Sequence, residues 1–153
     1  MLLTEIVNSP YSYTTDYDSN HPYGPTLSAT FTNAENHTIT VRLSYSEKDN
    51  SIGLGFKRNN NSALTGEGDQ FRILSTIIDF LKNNINKMFK KHNANTFYFS
   101  ADVSEESRVK LYRKRAPLII SSILGPEWKG PVEKQMTHSD GLIEMMFSWE
   151  KKS

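Results

Sequence analysis

The 153-residue sequence contains no cysteine. That excludes disulfides, thiolate catalysis and cysteine-ligated zinc, and it makes a reducing compartment the natural setting. An excess of charge of one sign is lacking too. Eighteen Lys and Arg stand against 17 Asp and Glu, a formal net charge of +1. Such a balance gives no global drive toward nucleic acid or membrane, so any electrostatic argument must be local. No apolar run approaches the roughly 20 residues that span a bilayer. The opening "MLLTEIVNSP" lacks the basic segment and long apolar run of a signal peptide. A cytoplasmic location is therefore expected, and the sequons at Asn36 and Asn60 are expected to be idle. The four histidines are scattered, with no His-Glu-x-x-His or close pair, so no metal site is expected.

What is present suits one domain, residues 1–153, with a real core. Aromatic residues are 11% and charged residues 23%, a globular composition rather than a disordered one. Residues 1–25 read as an irregular N-terminal arm, rich in Tyr, Ser, Asp and Pro from residue 8 onward; the core is expected over 26–150. From Thr38 the pattern sharpens. Ile39, Val41, Leu43 and Tyr45 alternate with polar neighbours, the period-two signature of a half-buried strand. "SEKDN" is turn chemistry, and Ile52, Leu54 and Phe56 alternate again, so the two runs predict a hairpin. "TLSATFTNA" predicts an earlier strand of the same meander. Gly53 and Gly55 occupy the other face of the second hairpin strand. Glycine weakens a strand unless something must come close to its backbone. Two readings stand: close packing or a bulge, or a ligand lying against that face.

After the polar loop "NNNSALTGEG" a helix is predicted over about Gln70 to Phe89. Phe71, Leu74, Ile77, Ile78, Leu81, Ile85 and Met88 fall on one stripe at helical spacing. Asp69 is a candidate N-cap, and "KKHNAN" stops the helix with basic residues at its negative end. "TFYFSADV" predicts a central strand. Strand, helix, strand predicts a right-handed crossover, with the strand at Thr96 parallel to that at Ile52. Ser104 would cap a further helix, ended or kinked by Pro117; "PLIISSIL" predicts a short helix stopped by Gly125 and Pro126. "GLIEMMFSWE" predicts a last, antiparallel strand. The fold class is mixed α+β.

Two motifs carry a resemblance. "LTGEGDQFRIL" resembles the pyrophosphate loop of GCN5-related N-acetyltransferases (GNAT), and "EESRVKLYRK" resembles that family's helix carrying "L-Y". The resemblance covers roughly residues 38–150. It implies a GNAT-like mixed sheet: an antiparallel meander, a central β-α-β crossover, then a C-terminal helix and strand. It further implies acetyl-coenzyme A as cofactor and an amine as acetyl acceptor. By this resemblance Gly66, Gly68, Asp69, Gln70 and Phe71 would hold the pyrophosphate, and Tyr112 would protonate the departing thiolate. Glu144, on the last strand, is the candidate base. The departures are Ala63 where the family has Gln or Arg, and Ala116-Pro117 where it has Gly-Phe. The "GEG" loop, "FSA" strand and "SRVKLY" helix also resemble small uncharacterised phage-encoded proteins. That implies an alternative: an inactive GNAT-like fold serving as an interaction module, with a host protein, a virion component or a sister subunit as partner, in the host cytoplasm.

The glycine loop admits two readings on chemistry alone. A helix N-terminus offers unpaired N–H groups to an anion. Glu67 and Asp69, however, place carboxylates where they already satisfy the helix dipole. The run "RVKLYRKR" admits two as well, a phosphate-binding surface or a solvated helix face balanced by Glu105 and Glu106. Near physiological salt the Debye length is about 8 Å, and the +1 balance cancels the field beyond it. A labelled oligonucleotide at about 150 mM salt is therefore expected to show no saturable binding. Tight binding there, lost when Arg113 and Lys114 are reversed to Glu, would overturn that expectation.

Overall fold

The computed structural model describes residues 10–34, 36–58, 70–102, 115–137, 139, 141 and 143–153. Among these residues nine elements follow one another: β1 (Thr14–Asp18), β2 (Thr26–Thr32), β3 (Thr38–Ser46), β4 (Ser51–Arg58), α1 (Gln70–His92), β5 (Thr96–Asp102), α2 (Ala116–Leu124), β6 (Trp128–Thr137) and β7 (Ile143–Lys151). The strands form one seven-stranded sheet in the order β1-β2-β3-β4-β5-β7-β6. All neighbours are antiparallel except β4 and β5, which α1 connects as a parallel pair. This is the mixed α+β arrangement expected from the sequence, meander first and crossover in the middle.

Alternation decides which residues make the core. Ile39, Val41 and Leu43 of β3, Ile52 and Leu54 of β4, and Phe97 and Phe99 of β5 are all buried. So are Met145, Phe147 and Trp149 of β7. Each set takes every second position, so all lie on one face of the sheet. Against it pack Leu74, Ile77, Ile78, Leu81, Ile85 and Met88, the predicted stripe of α1. In α2, Pro117 sits in the first turn, where its missing N–H costs nothing. Ile119 and Ile120 are buried, and Trp149 donates its Nε1–H to Ser121 Oγ at 2.9 Å. The helix stops at Gly125, as expected. Ser104 and the helix it would cap lie outside the described residues.

Three details depart from expectation. α1 runs on to His92, a few residues past Phe89. β6 was not expected at all. It is an edge strand whose residues are exposed except for Trp128 and Met136, so it carries no apolar alternation to read. The third correction concerns the irregular arm: residues 14–18 form β1, paired with β2. Tyr11, Tyr13 and Tyr17 fall on odd positions of this extended segment and meet the flank of α1 that the sheet leaves uncovered. Tyr11 is buried, stacks on Phe31 and donates its N–H to Thr76 Oγ1 at 2.8 Å. Tyr13 meets Phe80 edge-on, and its hydroxyl donates to Asp79 at 2.7 Å. That second covering explains why Ile73, Thr76 and Phe80, off the predicted stripe, are buried as well.

At the other end of α1, the Tyr17 hydroxyl lies 3.3 Å from Nε2 of His92. Tyr45 stacks on the same imidazole at 4.4 Å, and the Lys91 ammonium sits over the Tyr17 ring. Burial holds the His92 pKa below its ordinary value, and Lys91 adds to the effect. The unfolded chain therefore binds that proton more tightly, and protonation favours unfolding. The contribution is fully present above the unfolded value of about 6.5 and is lost as pH falls through the lower folded value. Thermal melts are expected to weaken on acidification through that window, and His92→Gln to flatten the dependence. An unchanged slope in the variant would remove His92 as its source.

Candidate functional site: a gap between parallel strands

The parallel ladder between β4 and β5 is short. It consists of four residue pairs, Ser51 with Thr96, Ile52 with Phe97, Gly53 with Tyr98 and Leu54 with Phe99. Both strands continue. Beyond Leu54, β4 runs to Arg58 bonded only to β3, and beyond Phe99, β5 runs to Asp102 bonded only to β7. The sheet is thus open at the C-terminal ends of its two parallel strands. Among the described residues, backbone groups on the facing edges have no ladder partner there, although such groups are obligatory donors and acceptors.

The crossover places the start of α1 at that same end. Asn95, just past the helix, donates its N–H to the Asn50 carbonyl at 3.1 Å, next to the start of β4. The helix therefore returns the chain to the beginning of β4, and its first turn lies at the end of β4. In open α/β sheets ligands bind outside the carboxyl ends of the strands, and anions favour helix N-termini. No acidic residue occupies the first turn of α1.

On the helix side the floor is closed. Leu54, Leu74, Phe99, Ala116 and Ile120 line a cavity of only about 10 Å³. The other face is open and made of small groups. Ser44, Gly53, Tyr98 and Ser148 lie in one cross-strand row on that face, and Arg42 with Gly55 begins the next. Among the described residues, a Cβ built at Gly53 or Gly55 meets no heavy atom within 4 Å, and the β3–β4 register is unbroken at both. Neither a bulge nor close packing by the described residues is therefore the reason for either glycine. Gly24 is the contrast. It has φ +104, and a Cβ there would collide with the Tyr45 carbonyl oxygen, so its need is local and steric.

The sequence-predicted site residues divide in two. Gln70 and Phe71 open α1 at the end of β4, and Glu144 pairs with Asp102 at the end of β5. These three elements meet at the gap end of the sheet. Gly66, Gly68, Asp69 and Tyr112 lie outside the described residues. Sequence reasoning missed Arg42, Tyr98 and Ser100. Alternation puts them on the open face, but only the register shows that they flank the gap. Among the described residues no group of three or more His, Asp or Glu is placed to hold a metal, and no helix is long and apolar enough to cross a membrane.

The fold is GNAT-like. Its antiparallel meander, its single parallel pair joined by α1 and its C-terminal helix with the strand β7 are the arrangement that resemblance implies; β6 is an addition to it. No protein-family model matches the chain, and no curated protein matches it. Among solved structures it is similar to spermidine N-acetyltransferase SpeG from Vibrio cholerae. One mutant form is 11% identical over 80% of this chain and 64% of that one, with a TM-score of 0.42. A second is 13% identical over 80% and 63%, with a TM-score of 0.43. A dodecameric structure of that enzyme is 13% identical over 80% and 63%, with a TM-score of 0.39. The chain spans a little under two thirds of the length of these structures. At these values no residue role, ligand or assembly passes from them to this chain.

The role of Gly55 is testable without knowing the ligand. Gly55→Val adds a β-branched side chain to a strand position with free space. It is expected to leave stability unchanged or raise it by up to about 1 kcal/mol in denaturant melts. A clear loss of stability would mean that Gly55 serves the fold rather than the open face.

Proposed function

We propose that this chain binds acetyl-coenzyme A across the open ends of β4 and β5 and transfers the acetyl group to an amine. The observation that carries the reading is the parting of the two parallel strands after four pairs, at the end where α1 begins. The unpaired edges would hydrogen-bond the cofactor's pantetheine amides much as a missing strand would. The bare positions at Gly53 and Gly55 leave room on the open face, and the apolar floor of Leu54 and Phe99 excludes water from behind. The amides of Gly66, Gly68, Asp69, Gln70 and Phe71 would take the pyrophosphate, since a helix start supplies free donors and a partial positive charge.

The bound thioester supplies an activated acetyl group. The acceptor must lose a proton, its nitrogen bonds to the carbonyl carbon, and the carbon–sulfur bond breaks. Glu144 would take the amine proton at the gap end of β7, and Tyr112 would give one to the leaving sulfur. Proton balance is then complete without a metal.

Thermal shift and isothermal titration with acetyl-coenzyme A are expected to show binding that Gly68→Glu abolishes. Tyr112→Phe is expected to lower thiol release by about 10²-fold or more, the scale of positioned acid catalysis, while leaving acetyl-coenzyme A affinity unchanged. Absence of any binding at millimolar ligand would remove the reading.

A further inference from the structure

We propose that Arg42 and the open space above Gly55 bind a carboxylate of the acetyl acceptor, so that the preferred amine is an amino acid rather than a polyamine. The inference rests on the acetyl-transfer reading of the gap and adds the substrate class to it.

Arg42 lies in the middle of β3, in register with Ser28 on one side and Gly55 on the other. Its neighbours Val41 and Leu43 are buried in the core, so Arg42 belongs to the opposite, open face. It is half-buried, yet among the described residues it makes no ion pair and no hydrogen bond. Its adjacent positions in that face are Ser28, Thr40, Ser44, Gly53 and Gly55, none of which carries negative charge; the carboxylate of the row, Asp16, stands two strands away beyond Ser28, on the side opposite Gly55. A guanidinium has five donors in a fixed fork, and partial withdrawal from water without a partner is costly. The position therefore has an unmet demand for an anion.

Gly55 shows where that anion would sit. It is exposed, and the Cβ position above it is clear of every heavy atom of the described residues within 4 Å, the Arg42 side chain included. It also lies on the first stretch of β4 beyond the ladder, so it forms one lip of the gap. Neighbouring strands are about 4.8 Å apart, which puts the base of Arg42 one strand's width from that lip. A carboxylate above Gly55 would lie at the lip of the gap, next to the strand position of Arg42. The amine of the same small molecule would then reach the proposed site of the thioester. Planar carboxylate suits the arginine fork, whereas a polycation would meet Arg42 as like charge.

The test compares free L-amino acids, their α-carboxamides and spermidine as acceptors, by thiol release from acetyl-coenzyme A. The free acids are expected to exceed their amides by about tenfold or more in kcat/KM, the scale of a charge-assisted hydrogen bond. Arg42→Gln should lower the acids toward the amides and leave the KM for acetyl-coenzyme A unchanged. Equal use of acid and amide overturns the proposal, as does a spermidine preference that Arg42→Gln leaves intact. A raised KM for acetyl-coenzyme A in Arg42→Gln, with acceptor KM unaltered, would assign the guanidinium to a cofactor phosphate and also overturn it. A second readout needs no turnover. Titration of the wild-type protein with an amino acid should shift the Gly55 backbone amide resonance, and the shift should vanish in Arg42→Gln. That shift without acetyl-coenzyme A binding would leave the carboxylate site standing and remove acetyl transfer. Acetyl-coenzyme A binding with no shift at Gly55 would do the reverse.

Discussion

The β4–β5 ladder ends at Leu54 and Phe99, and both strands go on without each other. Each keeps its outer neighbour: β4 stays bonded to β3, and β5 to β7. Beyond the ladder, the groups on one edge of each strand are thus satisfied, and those on the other edge have no ladder partner among the described residues. A protein interior does not tolerate such groups dry. The gap must therefore stay open to water or be filled by something with amides of its own. The rest of the arrangement serves this break. The meander braces one lip, β7 and β6 brace the other, and α1 ties the start of β4 to the start of β5 so that only the far ends are free to part.

The packing shows why the break stays shallow. On the helix side, large apolar groups converge on the point where the ladder stops, leaving a cavity of only about 10 Å³. Leu54 and Phe99, the last paired residues, are among them. On the other side stand glycines and small polar residues with free space above them. The asymmetry is informative. A sheet that only needed to fold would fill Gly53 and Gly55 with β-branched residues, which favour strands and meet no steric objection here. The glycines lower strand stability and satisfy no contact with the described residues. What they leave on that face is clearance.

Much of the fold could be read from alternation and helical spacing alone. Ile39 to Leu43, Ile52 to Leu54 and Met145 to Trp149 declared their strands because one face of each is buried. The parallel pair followed from order. β6 was invisible for the opposite reason: an edge strand with both faces in water leaves no apolar period. β1 was hidden by its own chemistry. Tyr11, Tyr13 and Tyr17 do alternate, but Thr15 interrupts them, and their hydroxyls bond to the Ala34 N–H, Asp79 and His92 rather than advertising burial. The site was legible only in part. A glycine pair in a strand raised the question of a ligand, but its answer needed the register. Arg42 looked like any polar residue of a half-buried strand until Gly55 was found opposite it and the gap beside Gly55.

The tyrosine contacts give the last link between fold and site. α1 is held from two directions, by the sheet along its apolar stripe and by the β1 segment along the flank carrying Thr76 and Asp79. A helix fixed on one side only could roll on its apolar stripe, and its first turn would move with it. Tyr11 fixes the N-terminal half through Thr76, and Arg72 lies 3.9 Å over its ring. Tyr17 fixes the last turn through His92. The helix start is therefore kept at the end of β4 by residues that are remote in sequence from the gap and take no part in its chemistry. An arm that seemed an appendage thereby becomes part of the scaffold that aims α1 at the open ends of the parallel strands.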